Sequence, residues 1–253
     1  ANPLKSVKVE KYTGNATRVP GKMPLPTEHQ RRMAQYAASV EMIDQCVGRV
    51  LDHLTALGTA NNTAVLYTGD HGHMNGHHGL YYKGNATIPQ NFYDESIRVP
   101  CVWRMPGKSA AGQVNRSWVN HCDQFETILD LASVSRKNDV ESNPGISLLP
   151  ALLGKASETR DIAICEYGNA RMIRTSKLKV INRFGKGLLD EAYDLVNDPR
   201  ETTNVIENVR SSSEYAGAMT ALTNHFSKFR FAGLEGFTGS IPKHNGGEPW
   251  SGN

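Results

Sequence analysis

Residues 27–58 read "TEHQRRMAQYAASVEMIDQCVGRVLDHLTALG", and no other stretch limits the possible folds so strongly. Met33, Ala37, Val40, Ile43, Val47, Val50 and Leu54 recur at helical spacing, which predicts one long amphipathic helix. Thr27 is placed to cap it, and Gln30, three residues on, completes a capping box. Gly58 is placed to stop it. An Asn-rich turn leads into Ala64–Tyr67, a short apolar run bounded by turn signals, which reads as a buried strand. Helix, short turn and buried strand form the αβ half of a parallel-sheet unit, so the chain reads as α/β. In such sheets, ligands bind beyond the carboxyl ends of the strands.

The stretch beyond the strand is chemically dense. Tyr67–Gly84, "YTGDHGHMNGHHGLYYKG", holds four histidines, an aspartate, a lysine and five glycines in eighteen residues. Asp70 offers a hard carboxylate oxygen and His71 a neutral imidazole nitrogen, and in a turn both can reach one ion. The pair suits zinc or manganese at least as well as calcium, which prefers oxygen ligands. Equally, Asp70 could cap the following turn with His71 packed beside it. Two ligands do not make a site, so others would have to come from elsewhere. The Lys83 ammonium is a compact point charge suited to an oxyanion, or to a departing oxygen as charge builds on it. An exposed surface lysine is the alternative. His73 and His77 are four apart, but Gly72, Gly76 and Gly79 argue against a helix and for a folded loop with positive-φ positions. His73, His77 and His78 could add ligands or acids or simply line the loop, and His78 is the best single catalytic candidate among them.

The remaining chain is organised simply. Arg98–Gly107 contains a second strand candidate, and "SWVNHCDQFETILDLA" reads as a helix with Phe125, Ile128, Leu129 and Leu131 apolar. After about residue 160, "DIAICEYG", "RMIRTSKLKVINRF" and "EAYDLVND" show β-type content broken by turns, which predicts a small antiparallel sheet. "SEYAGAMTALTNHFSKFRFA" reads as a last helix, and a Gly- and Pro-bearing tail ends the chain. The expected division is residues 1–135 as an α/β portion and 136–253 as a C-terminal subdomain.

Composition excludes several classes. Net charge is +3, with no basic stripe interleaved with aromatics, so nucleic acid is a poor partner. No apolar run is long enough for a transmembrane helix, and the first 26 residues lack the apolar core of a signal peptide. Cys46, Cys101, Cys122 and Cys165 form no CxxC pair. They read as buried thiols, with one disulfide possible.

"TGDHGHMNGHHGLYYKG" followed by "FYDESIRVPCVWRMPG" resembles the sulfatase family of the alkaline-phosphatase superfamily. The family pattern runs Asp-His-Gly, Gly-x-His-Gly-Leu, Lys-Gly, an acidic stretch, Arg-Val-Pro and Pro-Gly. Asp70, His71, Gly72, His78, Gly79, Lys83, Gly84, Glu95, Arg98, Val99, Pro100, Pro106 and Gly107 stand at those places. "AASVEMIDQCVGRVLDHL", "CDQFETILDLA" and "RMIRTSKLKVINRF…EAYDLVNDPRETTNV" resemble further segments of the family, so the likeness spans roughly residues 30 to 210.

The resemblance implies part of an alkaline-phosphatase-like mixed sheet flanked by helices, plus a small C-terminal antiparallel sheet with a helix. It implies Asp70 and His71 as ligands of a divalent ion, usually calcium, and Lys83 as a contact of the sulfate near the leaving oxygen. Glu95 and Arg98 are expected to pair and hold the loop. Members also carry an early Cys/Ser-x-Pro-x-Arg motif whose first residue becomes formylglycine, the nucleophile. No cysteine in this chain stands in such a motif. The chain therefore resembles the C-terminal half of a sulfuric ester hydrolase, expected to be inactive alone. Its expected partners are an N-terminal half of the same enzyme and a sulfated small molecule or sugar, and family habit implies a periplasmic or secreted setting. A phosphoesterase or phosphonate hydrolase, with His121 as a weak later metal ligand, is one alternative. A non-catalytic module that binds an anion or glycan is another. Arg171 and Arg174 are further guesses at substrate contacts.

Overall fold

The structure is a computed structural model. It describes residues 28–109, 111–135, 143–155, 160–168, 170–183 and 187–229, and the backbone of three two-residue strands at 17–18, 243–244 and 248–249. The C-terminal tail otherwise lies outside the described residues, as does Thr27. In chain order the elements are β1 (Thr17–Arg18), α1 (His29–Ala56), β2 (Val65–Thr68), β3 (Thr87–Ile88), α2 (Asp94–Ile97), β4 (Cys101–Arg104), α3 (His121–Leu131), α4 (Leu149–Leu152), β5 (Ala163–Tyr167), β6 (Ala170–Arg174), β7 (Leu178–Arg183), β8 (Glu191–Asp194), α5 (Ile206–Val209), α6 (Ser213–Lys228), β9 (Lys243–His244) and β10 (Glu248–Pro249). Two compact units divide between residues 111 and 112.

In the first unit, α1 forms as its spacing predicts. Its N-cap is Glu28, which makes no side-chain capping bond. At the other end Gly58 takes φ +70°, and the amides of Gly58 and Thr59 bond back to the carbonyls of Thr55 and Leu54, both at 3.0 Å. That left-handed stop is the one glycine supplies without strain. The apolar stripe, however, is not buried along its length: Val40, Ile43 and Val50 are 44–56% exposed. The helix is engaged at its first turns, where His29, Arg32 and Tyr36 meet Tyr81, Tyr82 and His73.

The strand after α1 runs Val65–Thr68 and is half-buried rather than buried, with Tyr67 exposed. β2 pairs with β4 antiparallel, Val65 opposite Arg104 and Thr68 opposite Cys101. The parallel pairing suggested by the αβ unit is therefore not the one between these strands. β4 returns through the loop 69–100 and runs back along β2. Cys46 and Cys101 are exposed, Cys122 and Cys165 half-buried, and all four are free thiols, which corrects the expectation of buried cysteines.

The second unit contains the predicted antiparallel sheet, in the order β5-β6-β7-β8. Alternation along β7 sends successive side chains to opposite faces. Leu178 and Val180 join Ile173, Ala192, Ile206, Ala218 and Leu222 in a core built with α5 and α6. Each large aliphatic buried there contributes about 1.5–3 kcal/mol. Between them, Lys179 is buried and ion-paired with the equally buried Glu201. Arg183 pairs with Glu191 (Nη2 to Oε1, 2.5 Å), and the Tyr193 hydroxyl donates to the same carboxylate at 2.6 Å. Ser212 caps α6 by accepting the Tyr215 amide at 3.1 Å. In α3, the Asn120 amide donates to Asp123 at 2.7 Å, while Phe125 and Ile128 remain exposed. The fold is thus α/β with antiparallel sheets and flanking helices. Among the described residues, no helix is long and apolar enough to cross a membrane.

Candidate active site

Beyond the carboxyl end of β2 the chain enters the histidine-rich loop, and backbone geometry shapes it first. A Cβ on Gly72 would collide with the Glu95 carbonyl and lie 2.8 Å from that of Arg98. The Gly72 amide donates to the Ser96 carbonyl at 2.9 Å. Only glycine lets the loop pass this close to α2. Gly76 and Gly79 take positive φ, as do His78 (54°) and Tyr82 (71°), so the loop is folded rather than helical over most of its length. A single 3-10 turn spans His77–Gly79.

Three of the sequence candidates come together. The Asp70 carboxylate accepts the His71 amide at 3.0 Å, and its Oδ2 lies 3.2 Å from His71 Nε2. His71 Nδ1 donates to the Gly72 carbonyl at 2.9 Å, so the lone pair sits on Nε2. Lys83 Nζ, twelve residues on, donates to that nitrogen at 2.6 Å. Desolvation alone would raise the Asp70 carboxyl, but the Asp70 and His71 amides together with the neighbouring imidazole and the Lys83 ammonium hold it below the usual range.

One oxygen of Asp70 and one nitrogen of His71 thus converge with an ammonium beside them, and because that ammonium occupies the Nε2 lone pair, a cation held by both residues would have to displace Lys83 from His71. That arrangement fits one side of a divalent cation's coordination shell. Among the described residues, no group of three His, Cys, Asp or Glu side chains completes such a shell. His71, with Gly72, His73, His77, Glu95 and Tyr36, lines an open cavity of about 500 Å³.

His78 is placed differently. Its ring is 2% exposed and stacks on Tyr93, with centroids 3.8 Å apart and planes 11° from parallel. Its Nε2 lies 3.4 Å from Glu95 Oε2, and His77 Nδ1 lies 3.7 Å from Glu95 Oε1. Partial burial would raise Glu95, but the hydrogen bond from His78, its own backbone amide and the two imidazoles hold its carboxyl below the ordinary value. The expected Glu95–Arg98 pair does not form. Arg98 pairs instead with Asp94 at 3.6 Å, one helical turn back, and Glu95 turns to the histidines. Arg171 stacks on Phe226 at 3.8 Å and faces Glu166 at 3.5 Å, while Arg174 stacks on Trp118 at 4.7 Å. Both cations are engaged within the second unit. His121 opens α3 and is exposed.

Sequence reasoning missed Tyr36 and His73 as cavity walls and the buried hydrogen bond between His29 and Tyr81. No local signal marks them, since Tyr36 sits in an ordinary helical pattern and its role depends on the loop folding back.

Comparisons with known proteins show the family to which the chain is similar. The family model Sulfatase matches residues 5–134, and that of the N-sulphoglucosamine sulphohydrolase C-terminal region matches residues 76–230. An N-acetylglucosamine-6-O-sulfatase of Bacteroides thetaiotaomicron is 29% identical over 208 residues, covering 78% of this chain and 35% of that protein. An arylsulfatase of Clostridium perfringens is 33% identical over 216 residues, covering 83% and 42%. Among solved structures, a protein in complex with its substrate D-glucosamine-2-N,6-O-disulfate aligns with TM-score 0.70 at 28% identity, over 81% of this chain and 42% of that one. A phosphonate monoester hydrolase of Agrobacterium radiobacter aligns with TM-score 0.71 at 25% identity, over 81% and 43%. The chain thus spans well under half the length of the N-acetylglucosamine-6-O-sulfatase (35%) and of the arylsulfatase (42%).

Proposed function

The chain belongs to the sulfatase family, and we propose that it supplies one wall of the active site of a sulfuric ester hydrolase. The observation that carries this reading is the convergence of Asp70, His71 and Lys83 at the end of β2. Asp70 and His71 would hold a divalent ion, calcium by family habit, which supplies positive charge to polarise the sulfate oxygens. Lys83 places its ammonium at the ester oxygen that departs. As the S–O bond breaks, charge builds on that oxygen, and a cation already fixed in position stabilises it without reorganisation.

His78, buried between Tyr93 and Glu95, acts as a positioning residue that keeps the loop folded under Lys83. Proton delivery to the leaving oxygen from His78 would require it to leave that stack. The attacking group, by family likeness a formylglycine, would come from an N-terminal part of the same enzyme, and that part is the expected partner. A sulfated sugar is the substrate class best supported, because a similar solved structure holds one.

The test compares hydrolysis of 4-nitrophenyl sulfate with that of a phosphonate monoester by the enzyme assembled with this chain, in calcium and after chelation. Calcium-dependent turnover favouring the sulfate supports the reading. Turnover favouring the phosphonate would support the second reading, which the likeness to the phosphonate monoester hydrolase motivates.

A further inference from the structure

A second cleft opens between the first turns of α1 and the far side of the histidine-rich loop. It has a volume of about 190 Å³, and its walls include Arg32, Gln35, Tyr36, His73, Asn75 and Tyr82. Tyr36, His73 and Asn75 also line the larger cavity that contains His71, so the two spaces share a wall.

The cleft is built from rings. Tyr36 and His73 lie 5.6 Å apart at 31°, and His73 and Tyr82 lie 6.3 Å apart at 53°. Tyr82 precedes Lys83 directly and holds φ at 71°, a region that a bulky residue adopts only under strain. That backbone leaves its ring 40% exposed. Strain of this kind persists where surrounding structure enforces it, and it concentrates at ligand sites. Gln35 and Asn75 also line the cleft, and amide side chains of this kind can hydrogen-bond to hydroxyl groups. Aromatic faces with a few fixed polar groups are the usual lining of a small-molecule site.

Arg32 stands over this cleft. Its guanidinium carbon lies 5.4 Å from the Tyr81 ring centre and 6.0 Å from that of Tyr82, and Nη1 is 3.5 Å from the Tyr82 hydroxyl. Its ion pair is with Glu28, one helical turn back, at 3.7 Å with both side chains partly exposed. Pairs of that type contribute only about 0.3–0.5 kcal/mol, so an incoming anion displaces Glu28 easily. The planar fork of arginine matches sulfate or carboxylate oxygens two at a time.

We propose that this cleft is a substrate subsite that stacks a sugar ring on Tyr36 and Tyr82 and reads a second anionic group on that ring through Arg32. It rests on the sulfatase reading, because Lys83 and His71 are taken to hold the first sulfate. The substrate is then a sugar carrying two anionic groups rather than one, and Arg32 sets that specificity.

The test titrates the 253-residue chain by NMR with D-glucosamine-2-N,6-O-disulfate and with D-glucosamine-6-O-sulfate, in calcium. The disulfate binds more tightly by about tenfold, the worth of one charge-assisted contact. Arg32→Ala removes that preference while leaving the monosulfate within about twofold. Arg32→Lys keeps part of it, since the charge stays but the fork is lost. Lys83→Ala weakens both ligands. Equal affinities in the unaltered chain, no binding of either ligand, or an Arg32→Ala chain that keeps the preference would each overturn the subsite. If Lys83→Ala leaves both affinities unchanged while Arg32→Ala still erases the preference, the subsite stands and the role given to Lys83 fails.

Discussion

The Lys83 ammonium lies 2.6 Å from the Nε2 of His71 and so reaches back across twelve residues to the end of β2. The fold of the loop between them permits that approach. Removing the ammonium tests it. Lys83→Ala should lower sulfate-ester turnover of the assembled enzyme by at least about tenfold, or about 1.4 kcal/mol of barrier, and leave thermal stability unchanged. Steady-state kinetics and a melting curve on the same variant check both parts. Unaltered turnover would remove Lys83 from the site.

Two glycines should respond in opposite directions. At Gly72 a Cβ meets backbone oxygens that cannot yield easily, so Gly72→Ala should cost about 1–3 kcal/mol of stability. Gly48, inside α1 with open space where a Cβ would stand, should gain about 0.5–1 kcal/mol as alanine. Chemical denaturation of the two variants in parallel distinguishes them. A Gly72→Ala protein as stable as the original would contradict the close passage of the loop over α2.

Glu95 should make loop stability depend on acid. The hydrogen bond from His78 and the neighbouring imidazoles hold its carboxyl below the ordinary 4.5. A group depressed in the folded state stabilises at pH above its unfolded value, and that contribution fades as pH falls through the folded value. Glu95→Gln should therefore destabilise the protein at pH 7 by about 1–3 kcal/mol and by progressively less below about pH 4.5. Melting temperatures between pH 3 and pH 7 check this. A difference that stays constant across the range would show that Glu95 acts by shape and not by charge.

Much of this architecture is legible in the sequence because it follows from local pattern. The stripe from Met33 to Leu54 announces its helix through a period of 3.6, and the β-type content broken by turns after residue 160 announces the antiparallel sheet. Gly58 announces the stop of the helix. The residue types crowded after a strand draw attention to Asp70, His71 and Lys83, but they leave a capped turn and a surface lysine equally open, and it is the family resemblance that groups the three. Partner choice is not legible, because it is settled by tertiary approach. Glu95 turns to His77 and His78 and leaves Arg98 to Asp94, which depends on where α2 meets the loop. Burial is not legible either. Val40, Ile43 and Val50 carry the pattern of a packed face, yet their exposure depends on what lies against it.

The second unit carries a buried ion pair whose removal has a clear sign. Lys179 and Glu201 are both almost fully buried and pair with each other. Glu201→Ala leaves a buried ammonium without its carboxylate and should cost about 3–5 kcal/mol. Replacing both by apolar residues should recover most of that loss. Urea denaturation of the single and double variants checks the contrast, and a double variant no better than the single one would argue against a desolvation cost.

The most direct test of the central claim is anomalous diffraction from crystals of the assembled enzyme soaked in calcium and a sulfated sugar. The account predicts a metal peak about 2.3–2.6 Å from an Asp70 oxygen, with His71 Nε2 turned to the same ion and Lys83 on a sulfate oxygen. A metal peak away from Asp70 and His71, with Lys83 turned to solvent, would contradict it.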